Sequence, residues 1–480
     1  MKALNSYAII YFLPLLVFAL NVSTATWWPI PWTDEALFLD PAANYLFNGR
    51  FASSLWHTQT YSETWISNAP LYSLMLAGWL KIFGFGLVQS RSLNMALQVI
   101  LVCICVTWAQ KRLGFRAFQS VLLILLLMLP QSVAFMARNG RYDMLACLVS
   151  TIMVLCLAEG KAMWIAPTLT GFLMPWISLP TLAFTGAATW MMQPVRQRAR
   201  ATALHLCSAG LGLVALYLFA DRRVGGSRFL SIIASLWLSP SEGVKSKAKL
   251  IGENLIGLAA DRFWLVAILL LVGVLLVRGE GQSFWRGTNP VLRKWIMSGF
   301  LSSSVCVLAY KMNILYYWML AIPLAFLFSS YWVWSKGRKF LITMGLAGTL
   351  LIFGLPLRLV AGIGQQAQAS ENRKTIDTII NLDKEPSQPV VIYAEWPFYY
   401  QVKDKRTLVV GPRFIGHGVS SDLKPRFLVL PKGTLAPEAF RCFQRAATSE
   451  SVCQEPIYNI LGKILPGPIN RLPAVEVWTE

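Results

Sequence analysis

The sequence predicts a mainly α, polytopic membrane protein. A bundle of about eleven transmembrane helices occupies residues 1–360, and a small extracytoplasmic α/β domain occupies 361–480. Three observations predict it. Hydrophobic residues make up 55% of the 480 and charged residues only 14%, with a mean hydropathy of +0.52, which excludes an ordinary soluble globular chain. The basic residues behind the net charge of +20 fall in short bursts between apolar runs, as in the loops of a polytopic protein, and form no single patch for nucleic acid. After Arg358 the apolar runs shorten to strand length.

Taken in order, the predicted spans are Tyr7–Thr26, Leu87–Gln110, Phe118–Met136, Met144–Ala158, Met163–Trp176, Leu179–Met192, Ala201–Ala220, Phe263–Val277, Trp295–Tyr310, Ile314–Trp334 and Phe340–Leu357. With the N-terminus in the cytoplasm, every cytoplasmic loop is basic: Lys111, Arg112 and Arg116, then Lys161, then Arg196, Arg198 and Arg200, then Arg278 to Lys294, then Lys336, Arg338 and Lys339. Reading the first run as a cleaved signal peptide leaves this topology one helix short, so it counts as a span. Pro70–Phe85 is apolar too, but counting it inverts every later loop. It is therefore read as a juxtamembrane helix inside a first external loop over 27–86. The absence of a retention signal and the modest size point to a bacterial inner (plasma) membrane, with the C-terminal tail outside the cytoplasm.

In the tail, Val390–Ala394, Thr407–Val410, Arg426–Leu430 and Ala474–Trp478 read as strands, and Glu371–Leu382 and Pro437–Ala446 carry helical patterns. Six of the eight cysteines lie in predicted spans, where a thiol behaves as a small hydrophobe. Cys442 and Cys453 lie in the tail, in a compartment that permits a disulfide. They are either a bridge or two unrelated thiols.

Chemistry is expected where charge is kept in an apolar setting. Asp34-Glu35 follows the aromatic, proline-broken belt Trp27-Trp28-Pro29-Ile30-Pro31-Trp32, which suits a membrane–water interface. Carboxylates there are either hydrated loop acids or functional. The second external loop is very short and holds Arg138, Arg141 and Asp143. Either an arginine simply neutralises Asp143, or Asp143 and Asp34 converge from two loops with arginines placed to grip a phosphate, for which a planar guanidinium is suited. Lys311, in a tight external turn with Tyr317 after it, is either a snorkelling lysine or the partner of an anion. His57, in the first external loop, is a plain loop histidine or a substrate contact. No Walker A loop, dinucleotide fingerprint or His/Cys metal spacing is present in the sequence.

These pieces together resemble the membrane-embedded GT-C glycosyltransferases. The similarity is to the branch of protein O-mannosyltransferases and of aminoarabinose transferases that modify lipid A. The resemblance rests on Asp34-Glu35-Ala36, Ala42 to Gly49, Ala69-Pro70-Leu71-Tyr72, Phe83-Gly84, Arg91-Ser92-Leu93-Asn94, Arg141-Tyr142-Asp143, and Lys311 with Tyr317 and Pro323. It covers residues 1–150 by motif and the remainder by topology.

The resemblance implies transfer of a sugar from a polyprenyl-phosphate donor to a lipid, glycan or protein acceptor outside the cytoplasm, with inversion of the anomeric centre. It implies Asp34 as principal catalytic acid/base, Glu35 as a neighbour orienting the loop, and Asp143 as the second carboxylate. Arg141 and Lys311 are implied for the carrier phosphate, with Arg138, Tyr317, His57 and Tyr72 as further substrate contacts. It implies no certain cofactor and leaves a divalent cation open, since some of the wider superfamily needs one. It also leaves open a late-loop acid among Asp221, Glu242, Glu253 and Asp261. The competing class is a lipid or solute transporter or flippase, which calls for inverted repeats and charges near the midplane. The sequence shows no such symmetry, and its external charges gather on one side.

Overall fold

In a computed structural model, the structure describes residues 2–237 apart from short breaks. It also describes 285–309, 318–334 and, in the tail, 359, 365–380, 390–394, 398–403, 407–410, 427–432, 444–448 and 475–479. The chain opens with α1 (Lys2–Ser23), α2 (Thr33–Asn48), α3 (Pro70–Phe83) and α4 (Leu87–Trp108), the last continuing as a π-helix over Ala109–Leu113. Next come α5 (Ala117–Met128), α6 (Gln131–Ala137), α7 (Asp143–Ala158), α8 (Ile165–Ile177), α9 (Leu179–Met192), α10 (Arg198–Phe219) and α11 (Gly226–Trp237). Then α12 (Pro290–Ala309), α13 (Trp318–Trp334), α14 (Gln365–Ile380) and the short α15 (Tyr399–Val402) follow.

Three departures from the sequence reading have local causes. Asp34 and Glu35 do not sit in an irregular loop but in the first turn of α2, where a carboxylate is favoured by the helix dipole. The expected span Phe118–Met136 is two helices. Pro130 has no N–H to donate and is itself extended, with ψ 137°, so the chain breaks there and restarts at Gln131. The expected loop after α10 contains α11, whose Phe229 and Ile232 are buried against Leu216 and Ala220 of the preceding segment.

Among the described residues two stretches are long and apolar enough to cross a membrane, Leu87–Leu113 and Val195–Phe219. The other apolar helices, among them Asp143–Ala158 and Ile165–Ile177, are shorter. The expected spans Phe263–Val277 and Phe340–Leu357 lie outside the described residues. The helical core is built where α4 meets α1 and α7, where α8 meets α10, and where α9 meets α12.

The tail carries a five-stranded sheet of β1 (Val390–Ala394), β2 (Thr407–Val410), β3 (Phe427–Pro431), β4 (Gln444–Thr448) and β5 (Val475–Thr479). Their order is β2-β1-β3-β5-β4. Strand β1 pairs parallel with β2 and β3, while β5 pairs antiparallel with β3 and β4. The helix expected over Pro437–Ala446 is corrected at its end, because Gln444–Ala446 belongs to β4. Pairing with β5 overrides the helical pattern of the isolated segment.

Candidate active site

The N-terminal ends of α2 and α7 meet. Asp34 lies in the first turn of α2, and Asp143 is the first residue of α7. Arg141, in the turn before α7, lies between them. Its Nη1 donates to Asp34 Oδ2 at 2.5 Å, and its Nε is 2.9 Å from Asp143 Oδ2, an ion pair short of hydrogen-bond alignment. Exposure separates the three groups. The Asp34 side chain is 24% exposed, whereas Arg141 is 3% and Asp143 0%. Of the three, Asp34 is the one open to an incoming molecule. The guanidinium also lies over the rings of Phe38 (5.8 Å) and Tyr142 (5.4 Å), whose faces hold it in place.

The turn carrying Arg141 is held by α4. The Asn94 side-chain amide donates to the carbonyl of Arg141 (2.5 Å) and to that of Asn139. One turn earlier, Arg91 makes a two-pronged pair with Glu35, Nε to Oε1 at 2.8 Å and Nη2 to Oε2 at 2.7 Å, with both side chains fully buried. Its Nη1 donates to the carbonyls of Ala25 (2.6 Å) and Pro29 (2.7 Å), so one side chain ties α4, α2 and the aromatic belt together. Gly140 lets this turn pack closely on Glu35. A Cβ there would lie 3.0 Å from Glu35 Cγ and 3.3 Å from Oε1.

Tail residues complete the cluster. The Tyr400 hydroxyl donates to Glu35 Oε1 (3.2 Å) and shares a hydrogen bond with Ser90 (2.7 Å). Burial first, and the Glu35 carboxylate second, hold the Tyr400 hydroxyl well above its ordinary pKa, so it remains a protonated donor. Tyr399 donates to Asp40 Oδ1 (2.9 Å). Asp40 also accepts from Ser53 Oγ (2.9 Å), the Ser54 amide (2.7 Å) and Asn44 (3.2 Å), which accounts for a fully buried carboxylate. Lys403 Nζ donates to Asn44 Oδ1 (2.6 Å), and Ser54 Oγ donates to the Val409 carbonyl (2.6 Å).

The structure therefore brings Asp34, Arg141 and Asp143 together and places Glu35 beside them in a structural pair. Arg138 is buried under α1, where it donates to Asn21 Oδ1 (2.9 Å), Thr24 Oγ1 (2.9 Å) and the Thr24 carbonyl. Burial, with Arg91 nearby, lowers its pKa to about 9, which leaves it charged at neutral pH. Its guanidinium is engaged with the end of α1 rather than directed at a ligand. Tyr72 is fully buried and edge-on to Phe38 (6.4 Å), and its hydroxyl lacks a hydrogen-bond partner among the described residues. His57, Lys311, Tyr317, Cys442 and Cys453 lie outside the described residues, as do Asp221, Glu242, Glu253 and Asp261.

Sequence reasoning missed the parts played by Asp40, Asn94, Tyr399 and Tyr400, and quoted Arg91 without assigning it a partner. The only local signal was an arginine and an asparagine one turn apart at the start of an apolar helix. Among the described residues no side-chain set fits a divalent cation. Arg141 already occupies the space between Asp34 and Asp143, and no group of three or more His, Cys, Asp or Glu side chains gathers among the described residues.

This architecture matches that of a solved enzyme. ArnT from Cupriavidus metallidurans in complex with undecaprenyl phosphate superposes with a TM-score of 0.57, over 98% of this chain and 97% of that one, at 12% identity. The chain has the ArnT fold. The apo form of the same ArnT gives the same score and identity over 100% and 98% of the two chains. The archaeal oligosaccharyltransferase AglB from Archaeoglobus fulgidus overlaps far less well, with a TM-score of 0.39 at 10% identity over 88% and 69% of the chains, too weakly to bear on this chain. No family model matches the sequence, and no curated protein does. At 12% identity the ArnT likeness concerns the fold, and the chemistry has to be argued from the side chains.

Proposed function

We propose that the chain is an integral-membrane glycosyltransferase. It would take a sugar from a polyprenyl-phosphate carrier and pass it, with inversion, to a lipid, glycan or protein acceptor at the extracytoplasmic face. The observation that carries this reading is a single partly exposed carboxylate, Asp34, fixed by Arg141 against a buried second carboxylate, on a fold whose ArnT representative was solved with undecaprenyl phosphate bound.

In the proposed step the acceptor hydroxyl oxygen attacks the anomeric carbon and its proton passes to Asp34. The bond from that carbon to the phosphate oxygen breaks, and its electron pair leaves with the polyprenyl phosphate. Arg141 holds Asp34 in place through its ion pair, and a general base must be positioned in this way. Asp143, buried on the far side of the guanidinium, keeps Arg141 from swinging towards solvent. With both acids ionised, the three groups leave one negative charge, so they do not attract a phosphate by themselves. The cation for the leaving group is assigned to Lys311, which the sequence reading expects in an external turn.

The test is transfer from a panel of radiolabelled polyprenyl-phosphate sugars into membrane extracts, with membranes lacking the protein as the baseline. Protein-dependent incorporation from one donor identifies the sugar and supports the enzyme. Protein-dependent movement of the donor across the bilayer without incorporation would favour the transporter instead.

A further inference from the structure

A second site lies at the far ends of α4 and α7, whose near ends carry Arg91, Asn94 and Asp143. Arg91 and Arg112 are separated by about 30 Å along α4 and its continuation, at ~1.5 Å per residue. That is the thickness of a bilayer core, roughly 30 Å, and Leu87–Leu113 is apolar and long enough to span it. Asp143 and Glu159 mark the same two ends of α7 and its cap. A groove of about 790 Å³ opens between these distal ends, within the range of ~300–1,000 Å³ usual for small-molecule sites.

The walls of the groove are apolar, with Ile104 from α4 facing Ile152 and Leu155 from α7, and its mouth is charged. Glu159 is already occupied there. It accepts from Trp108 Nε1 (3.1 Å) and is paired with Arg112 through both oxygens. Lys111 is exposed and has no carboxylate partner among the described residues. The mouth therefore keeps one net positive charge above an apolar slot. Both cations sit on the π-helical turn Ala109–Leu113, an irregularity that concentrates at functional sites.

We infer that this groove binds an anionic bilayer phospholipid, its phosphate at Lys111 and an acyl chain along Ile104, Ile152 and Leu155. Basic pockets between membrane helices select anionic headgroups in this way. The occupant is a lipid of the bilayer rather than the polyprenyl carrier, because the groove is a membrane thickness away from Asp34. The inference does not depend on sugar transfer.

The test is native mass spectrometry of the full chain in detergent, titrated with phosphatidylglycerol, phosphatidylcholine or undecaprenyl phosphate. One unpaired lysine at the surface is expected to favour phosphatidylglycerol over phosphatidylcholine by about fivefold. Lys111→Glu, which makes the mouth's net charge negative, should turn the preference towards phosphatidylcholine without changing the thermal midpoint, since the side chain is exposed. Ile152→Trp, which fills the slot, should weaken both lipids. Equal retention by the unaltered protein would overturn the inference, as would a preference that survives Lys111→Glu. A Lys111-dependent preference for undecaprenyl phosphate over phosphatidylglycerol would also overturn it, by assigning the groove to the carrier.

Discussion

Replacing Arg91 by methionine tests whether the buried Glu35–Arg91 pair is the frame on which the site is hung. Both side chains are fully buried, and Arg91 supplies two hydrogen bonds to Glu35 and one each to the carbonyls of Ala25 and Pro29. Arg91→Met strands a carboxylate whose remaining donor is the Tyr400 hydroxyl at 3.2 Å. Breaking a buried pair by removing one partner costs about 3–5 kcal/mol. Converting both members to apolar residues, Glu35→Leu with Arg91→Met, removes the stranded charge. It leaves two carbonyls to find other donors, a residual cost of about 1–3 kcal/mol. The double variant is therefore expected to be more stable than Arg91→Met alone, with a coupling of about 2 kcal/mol. The assay is a double-mutant cycle read by unfolding of the purified protein in detergent. A single-variant cost below about 1 kcal/mol, or costs that simply add, would refute the reasoning.

Four further outcomes follow from the structure. Gly140→Ala drives a Cβ to 3.0 Å from Glu35 Cγ and should cost about 1–3 kcal/mol of stability in the same unfolding assay. At Gly49, with φ +66 and nothing within 4 Å, alanine should cost only about 1 kcal/mol, through the backbone alone. Tyr400→Phe removes a donor to Glu35 and a partner of Ser90. It should cost about 1–2 kcal/mol and raise the rate of proteolysis in the tail, measured by limited digestion. Arg141→Lys keeps a charge but loses the fork that spans two carboxylates. It should lower kcat at least tenfold with a smaller effect on KM, read by steady-state transfer kinetics.

How far the sequence revealed this site depended on separation along the chain. Helix α9 was legible residue for residue as Leu179–Met192, and β1 and β2 were legible as short apolar runs between turn residues. The meeting of Asp34 with Asp143 was legible as one of two alternatives, because charges at two loop ends in an apolar chain need partners. In the structure Arg141 pairs with Asp143 and reaches Asp34 as well, so the two acids converge, while Arg138 is engaged with the end of α1 and does not reach them. The choice of Arg91 for Glu35 was not legible, because several arginines flank the external loops and nothing local distinguishes them. Asp40 was hidden for the same reason: its partner Tyr399 is 359 residues away. Strand β4 was misread because its ten-residue neighbourhood carries a helical period that only pairing with β5 overrides.

The most direct test of the central claim is single-turnover sugar transfer by Asp34→Asn beside the unaltered protein, with the unfolding midpoint of each measured in parallel. Loss of the general base predicts a rate lower by about 10²–10⁴-fold, with donor binding and midpoint retained. Asp34 is partly exposed and Arg141 keeps its ion pair with Asp143, so the fold does not depend on the charge. A folded Asp34→Asn protein that transfers sugar at the original rate would contradict the account.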